Sequence, residues 1–117
     1  MFTLNPAMAV HLHRDPIDFR CGVNGLSAIV EHSLKLDPFA CACFAFTNKR
    51  RDRIKLLFWH KNGFWLCIKR LQAERFAWPS GKQAGLAISA EQLQWLLDGV
   101  DLAALQGHRP LPYCHAS

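Results

Sequence analysis

The sequence predicts an α+β fold, in which a small antiparallel sheet packs with two main helices. Two stretches carry apolar residues at helical spacing, and three consecutive segments are rich in aromatic and β-branched residues, as strands are. Between two of these segments, Asn62 and Gly63 form a dipeptide that favours a tight hairpin turn. The expected sheet is a three-stranded meander with short edge strands.

The N-terminal part is expected to form a short strand and then a helix. Apolar and polar residues alternate over 10–13, as in a strand with one buried face. Asp15 and Pro16 then predict a helix start, because proline is tolerated in the first helical turn. The helix is expected to reach Lys35, since Asp37 and Pro38 follow it. Its predicted apolar face consists of Phe19, Val23, Leu26, Val30 and Leu34.

The central part is expected to form the meander. Its three strands are predicted over 41–47, 54–61 and 64–71. If Asn62 and Gly63 are the two turn residues, Lys61 lies opposite Phe64. Both faces of this hairpin are then largely apolar near the turn. One face is expected to cover the helix, and the other needs a second layer, a partner chain or a ligand.

The last elements are expected to be a short edge strand and a second helix. Residues 76–79 are expected to add a short edge strand, with a flexible loop over 80–85. Ser89 and Gln92 have the spacing of a capping box at a helix start. Gly99 is a natural end for this helix. Its apolar stripe is Leu93, Leu96, Leu97 and Val100.

Length and composition predict one globular domain over 1–106 and a flexible tail over 107–117. Half of the residues are apolar and a fifth are charged, as in ordinary globular proteins. The chain has no run of eighteen apolar residues, and its first residues lack the pattern of a signal peptide. We therefore expect a cytoplasmic protein with no membrane partner.

The sequence predicts no metal site, no cofactor and no catalytic residue. Five cysteines, an odd number, argue against a complete disulfide framework. Cys41 and Cys43 would share a strand face and could ligate a metal, but reduced thiols in an apolar role are the favoured interpretation. The acidic residues are scattered, whereas a metal-dependent nuclease needs two or three grouped carboxylates. His60, near Cys67 in the predicted hairpin, is interpreted as an ordinary strand histidine.

A basic cluster is the main functional signal. Nine of the fourteen Lys and Arg residues lie between Lys49 and Arg75, against two acidic residues, and aromatic residues alternate with them. The predicted hairpin register adds a like-charge pair, Lys55 opposite Arg70, which is unfavourable without an anion nearby. Such a cluster favours nucleic-acid binding, with a solvated strand edge as the alternative. The predicted DNA-binding residues are Lys49, Arg50, Arg51, Arg53, Lys55, Lys69, Arg70 and Arg75.

The same stretches resemble the small accessory protein of the insertion-sequence-66 family of bacterial mobile elements, often called TnpB or the second open-reading-frame protein. Its central pattern, Phe-x-Asn-(Arg/Lys)-Arg-x-Asp-Arg-Ile-Lys-x-Leu-x-Trp, is matched by residues 46–59. Its Asp-Met-Arg-x-Gly-x-x-Gly-Leu pattern stands at 18–26, with Phe in place of Met. Shorter motifs of the family match 37–39, 63–71, 76–79 and 96–101. His60 departs from an acidic residue common in the family, and residues 73–75 replace a segment that usually carries glycine.

The resemblance implies participation in DNA transposition beside a separate, larger transposase that carries the strand-transfer chemistry. It implies two partners, DNA at the element ends or elsewhere and that transposase. We predict a non-catalytic accessory protein that binds DNA phosphates through the basic meander. The residues leave one alternative open, an adaptor whose two-sided apolar sheet docks the transposase or another copy of the chain without contacting DNA.

Overall fold

A five-stranded mixed sheet with one helix on each face makes up residues 5–102, the part of the chain that this computed structural model describes. The elements in chain order are β1 (Ala9–His13), α1 (Val23–His32), β2 (Ala42–Thr47), β3 (Arg53–His60), β4 (Gly63–Arg70), β5 (Gly85–Ile88) and α2 (Ala90–Leu97). The spatial order is β4-β3-β2-β1-β5, in which β1 runs parallel to β2 and the other neighbours are antiparallel. The predicted α+β class is confirmed, with a mixed sheet in place of a purely antiparallel one.

Each face of the sheet has its own apolar core. Successive strand residues point to opposite faces, and all six residues of β2 are buried because both faces are covered. On one face, α1 packs Leu26 and Val30 against Phe44, Phe46 and Leu57. The other core is formed with α2 and the segment after β4, and includes Val10, Leu12, Ile54, Leu56, Phe76, Trp78, Leu93, Leu96 and Leu97. The chain itself therefore supplies a second layer over β2 and most of β3, whereas β4 is only partly covered.

The first helix begins at Val23 and not at Asp15. The Asp18 carboxylate accepts hydrogen bonds from the backbone and the guanidinium of Arg20, which folds this segment into a turn. The ammonium of Lys55 donates to two carbonyls of the segment, those of Phe19 and Cys21, and so holds it in this non-helical conformation. Local side-chain bonds of this kind compete with helix formation, and the helix starts only after the segment ends.

The β3–β4 turn consists of Lys61 and Asn62, one residue earlier than predicted. His60 pairs with Gly63, Lys61 has φ of 56°, and the Asn62 amide donates to the His60 carbonyl at 2.6 Å. The predicted pairing of Lys61 with Phe64 is wrong, and Trp59 takes that position.

This shift moves every cross-strand partner in the hairpin by two residues. Lys55 therefore lies opposite Ile68, and the like-charge pair is Arg53 with Arg70. A shift of two keeps each side chain on its predicted face, because side chains alternate with a period of two. The far end of the hairpin is held by the amide of Leu71, which donates to the Asp52 carbonyl at 2.8 Å.

The segment 76–79 is not a strand. Phe76 and Trp78 are buried beneath the sheet, and the Trp78 indole donates to the His13 carbonyl at 3.1 Å. The edge position beside β1 belongs to β5, in a region where no strand was predicted. Gly85 at its start suits a close approach, since a Cβ there would lie 2.7 Å from Cδ2 of Leu34.

The second helix follows its prediction closely. The Ser89 hydroxyl accepts from the Gln92 amide at 3.0 Å, and the Gln92 side chain accepts from the Ser89 amide at 2.8 Å. Gly99 follows the helix with φ of 93°. Within residues 5–102, no helix is long and apolar enough to cross a bilayer. The predicted tail over 107–117 lies outside the described residues.

Candidate nucleic-acid interface

The turn between β2 and β3 is built around the side chain of Asn48. Its amide oxygen accepts from the backbone amides of Asp52 at 3.1 Å and Arg53 at 3.2 Å. Its amide nitrogen donates to the Asp52 carboxylate at 2.7 Å. Arg51 completes the turn with φ of 60° and donates its backbone amide to the Asn48 carbonyl. Asparagine suits this role because its side chain imitates backbone hydrogen bonds.

The segment that follows β4 is fastened to this turn. The Leu71 amide donates to the Asp52 carbonyl at 2.8 Å, and the Phe76 amide donates to the Arg51 carbonyl at 2.7 Å. Because Phe76 is buried, residue 75 beside it is fixed near the turn. Two stretches of chain that are distant in sequence therefore converge on one end of the hairpin.

We call this place the basic end. The other end of the hairpin is seven residues further along, at a distance of about 23 Å. Lys69 and Arg70 are neighbours on β4 and point to opposite faces of the sheet, so the positive charge continues around the strand edge. Its members are Lys49, Arg50, Arg51, Arg53, Lys69, Arg70 and Arg75, seven of the eight predicted DNA-binding residues.

Lys55, the eighth predicted residue, is placed differently. Its side chain is only 5 % exposed. The ammonium donates to the carbonyls of Phe19 and Cys21, each at 2.8 Å, and lies 4.6 Å from the centre of the Phe19 ring. Its donors are directed into the protein, where they fasten the segment before α1 to the sheet.

The cations of the basic end have few local counter-charges. Within residues 5–102, the ion pair formed is that of Arg20 with Asp18, at 2.6 Å, which includes no member of the basic end. The Asn48 amide lowers the pKa of Asp52, and Arg50 and Arg53 add to this effect, so Asp52 remains ionised. Lys69 donates to the Leu97 carbonyl at the end of α2. These arrangements leave a net positive field at this end.

The side chains that could act in catalysis or bind a metal ion are dispersed. Within residues 5–102, no three His, Cys, Asp or Glu side chains are grouped closely enough to hold a metal ion. The described cysteines are free thiols, and burial raises the pKa of Cys43 to about 12. His60 lies exposed at the hairpin tip opposite Gly63.

Sequence reasoning missed how much apolar surface β4 leaves exposed. Trp65 is 56 % exposed and Ile68 is 61 % exposed, one on each face of the strand. The sequence predicted that one face of the hairpin covers the helix and that the other needs a second layer, a partner chain or a ligand. A further short strand was predicted after it, over 76–79, so β4 did not stand out as a strand at the sheet edge.

Comparison with known proteins places the chain in a family. Residues 8–107 match the family described as "IS66 Orf2 like protein". Two proteins of Sinorhizobium fredii (strain NBRC 101917 / NGR234) are similar, and both carry the name "Uncharacterized protein". The protein y4jC is 38 % identical over 86 residues, which are 74 % of each chain. The protein y4hO is 38 % identical over 84 residues, which are 72 % of this chain and 73 % of its own.

No solved structure matches the chain. The family match covers both helices, all five strands and the whole basic end. The protein therefore belongs to the IS66 Orf2-like family, whose members are accessory proteins of insertion-sequence transposition.

Proposed function

We propose that this protein is a non-catalytic accessory factor of transposition that binds DNA phosphates through its basic end. One observation carries the proposal. The fold gathers seven basic side chains around the Asn48 turn, and within residues 5–102 none of the seven is ion-paired with a carboxylate. Arginine suits phosphate recognition because its planar guanidinium can make two parallel hydrogen bonds.

The like-charge pair in the sheet adds to this argument. Arg53 and Arg70 face each other directly across β3 and β4. Like charges in directly opposite positions destabilise a sheet, and a bound phosphate between or above them would remove that cost. Lys55 takes no part in the proposed contact, because its ammonium is already bound to two carbonyls.

A salt titration of DNA affinity tests the proposal. Seven cations around a strand edge allow about five simultaneous phosphate contacts, which predicts a slope near −4.5 for log affinity against log salt on duplex DNA. Affinity should then fall roughly 10²–10³-fold between about 50 and 200 mM salt. Element-end DNA and random DNA of equal length should be compared, each with and without the transposase. A complex whose affinity does not change with salt would contradict phosphate binding.

Single substitutions assign the contact to the basic end. Arg50→Ala removes an exposed side chain without touching the turn hydrogen bonds, and should make the slope shallower by about 0.9. Lys61→Asn is the matched control, since it removes one exposed cation at the other end of the hairpin and asparagine tolerates positive φ. It should leave the slope unchanged. Equal effects of both variants would mean that the field of the whole molecule, and not this site, binds DNA.

The absence of catalysis is part of the proposal and has its own test. Purified protein incubated with Mg²⁺ or Mn²⁺ should leave element-end DNA uncut. Cleavage that survives repurification would refute it.

The exposed surface of β4 favours a second candidate, an adaptor that docks the transposase. Trp65 and Ile68 are exposed on a sheet edge, where another chain can pair. Co-purification with the transposase after complete nuclease digestion would favour the adaptor. DNA binding by the isolated protein with the predicted salt slope would favour the first candidate.

A further inference from the structure

The free edge of β4 differs from the other edge of the sheet. Strand β4 has eight residues, and within residues 5–102 it pairs with β3 alone. The opposite edge strand, β5, has four residues, which is one of the ways in which proteins limit pairing between edges. Strand β4 has no proline, and its charges begin only at Lys69. A long apolar edge of this kind is a template for another strand.

The hydrogen bonds of the hairpin show which residues face this edge. The bond from the Leu71 amide to the Asp52 carbonyl belongs to the β3–β4 ladder. In an antiparallel pair, residues alternate between bonding their partner and facing away from it. Residues 63, 65, 67 and 69 therefore bond to β3, and the backbone groups that face outward belong to Phe64, Leu66, Ile68 and Arg70.

The distribution of charge along β4 selects the direction of pairing with a second copy. The cations Lys69 and Arg70 lie at the end of the strand, and the first six residues carry no charge. Parallel pairing would place these cations beside their counterparts, which is unfavourable. Antiparallel pairing separates the two Arg70 residues by about 20 Å along the strands, well beyond the screening length of about 8 Å at physiological salt.

We propose that this protein forms a two-fold symmetric dimer through antiparallel pairing of β4 with β4 of a second copy, centred on Cys67. In this register each outward-facing residue bonds to one in the partner, Phe64 with Arg70 and Leu66 with Ile68. In a register centred on Leu66, Arg70 would lie opposite the β3–β4 turn of the second copy, and the two strands would form two fewer hydrogen bonds. On the other face Trp65 lies opposite Lys69.

This register also covers apolar side chains that β4 leaves exposed. Ile68 is covered by Leu66 of the second copy, and the ring of Phe64 receives the Arg70 guanidinium, a contact that aromatic faces favour. The result is a ten-stranded continuous sheet with one basic end at each of two opposite positions. The proposal does not depend on DNA binding, although Lys69 and Arg70 belong both to the edge of β4 and to the basic end.

The first test is the mass of the protein in solution without DNA. Sedimentation velocity over a micromolar concentration series should show a monomer–dimer equilibrium for the wild-type chain. Ile68→Lys changes an exposed side chain and places new charge opposite Leu66, so it should weaken dimerisation roughly 10–100-fold. Leu36→Lys is the matched control, an exposed apolar residue away from β4, and should dimerise as the wild type does. A monomeric wild type, or an Ile68→Lys variant that dimerises normally, overturns the proposal.

The second test fixes the register. Opposite residues that are not hydrogen-bonded to each other have Cα atoms about 4.5 Å apart, within the range that a disulfide spans. Diamide, which takes up the two electrons and two protons of a thiol pair, should therefore link Cys67 to its counterpart. Cys67→Ser should abolish the covalent dimer, and Cys41→Ser, at an exposed thiol elsewhere, should retain it. A dimer that Cys67 does not link refutes the proposed register.

Discussion

Replacing Lys55 with methionine tests whether this lysine stabilises the fold or binds DNA. Methionine keeps the length of the side chain and removes the ammonium. The variant loses two hydrogen bonds of 2.8 Å and the contact with the Phe19 ring. The carbonyls of Phe19 and Cys21 would be left without their donor, and the segment before α1 would lose its tie to the sheet.

The expected loss of stability follows from these contacts. A hydrogen bond that involves a charged group contributes about 1.5–3 kcal/mol, and two are removed. Part of this is regained, because the variant no longer buries a charge in a residue that is 5 % exposed. We expect the free energy of unfolding to fall by about 2–4 kcal/mol, a large part of the 5–15 kcal/mol typical of a domain.

Urea unfolding followed by tryptophan fluorescence measures this loss, and the midpoint should fall by roughly 1–2 M. Arg53→Met is the matched control, two residues earlier on the same face of β3. It should change stability by less than about 0.5 kcal/mol and make the salt slope of DNA binding shallower by about 0.9. Lys55→Met should leave that slope unchanged. A stability loss below about 1 kcal/mol for Lys55→Met, or a shallower slope, would refute this account of Lys55.

Three further outcomes are expected. Asn48→Ala removes three hydrogen bonds of the Asn48 turn and should lower the unfolding free energy by about 1–3 kcal/mol in urea melts; a neutral result would mean that the backbone alone holds the turn. Ser89→Ala removes the N-cap of α2 and should cost about 1 kcal/mol by the same assay, whereas Ser89→Gly should cost only a few tenths. Hydrogen bonds from Arg20 lower the pKa of Asp18 to about 2, and the pKa of Asp52 is also lowered. The Asp18 carboxylate stabilises the fold above its unfolded pKa near 4, and this contribution disappears as the pH falls toward 2. Asp18→Asn should therefore reduce the loss of stability between pH 5 and 2, and an unchanged pH profile would contradict it.

The hairpin shows where sequence reasoning succeeds and where it stops. The two strands, their apolar faces and the position of the turn to within one residue follow from alternation and from the Asn62–Gly63 signal. The cross-strand partner of each residue does not follow from this pattern, because the Asn48 turn and the Leu71–Asp52 bond at the far end contribute to the register. The Leu71–Asp52 bond joins residues far apart in the chain, and local propensity carries no information about it.

Lysine 55 shows the same limit for the candidate site. In the sequence it continues a basic run and is grouped with the DNA-binding residues. The fold places it under the segment before α1, since Lys55 belongs to the face of β3 that α1 covers. The exposure of β4 was hidden for a related reason, because alternation distinguishes the two faces of a strand and not an edge strand from a central one.

The sequence by itself determined the α+β class, both helices, the capping box, the family and the concentration of positive charge in one segment. These depend on local periodicity, on short-range hydrogen bonds and on composition, which are properties of neighbouring residues. Tertiary structure alone decided which cations converge, which one is buried, and which strand is left at the edge. Each of these depends on the pairing of distant segments, whose energies become defined only when the whole sheet is assembled.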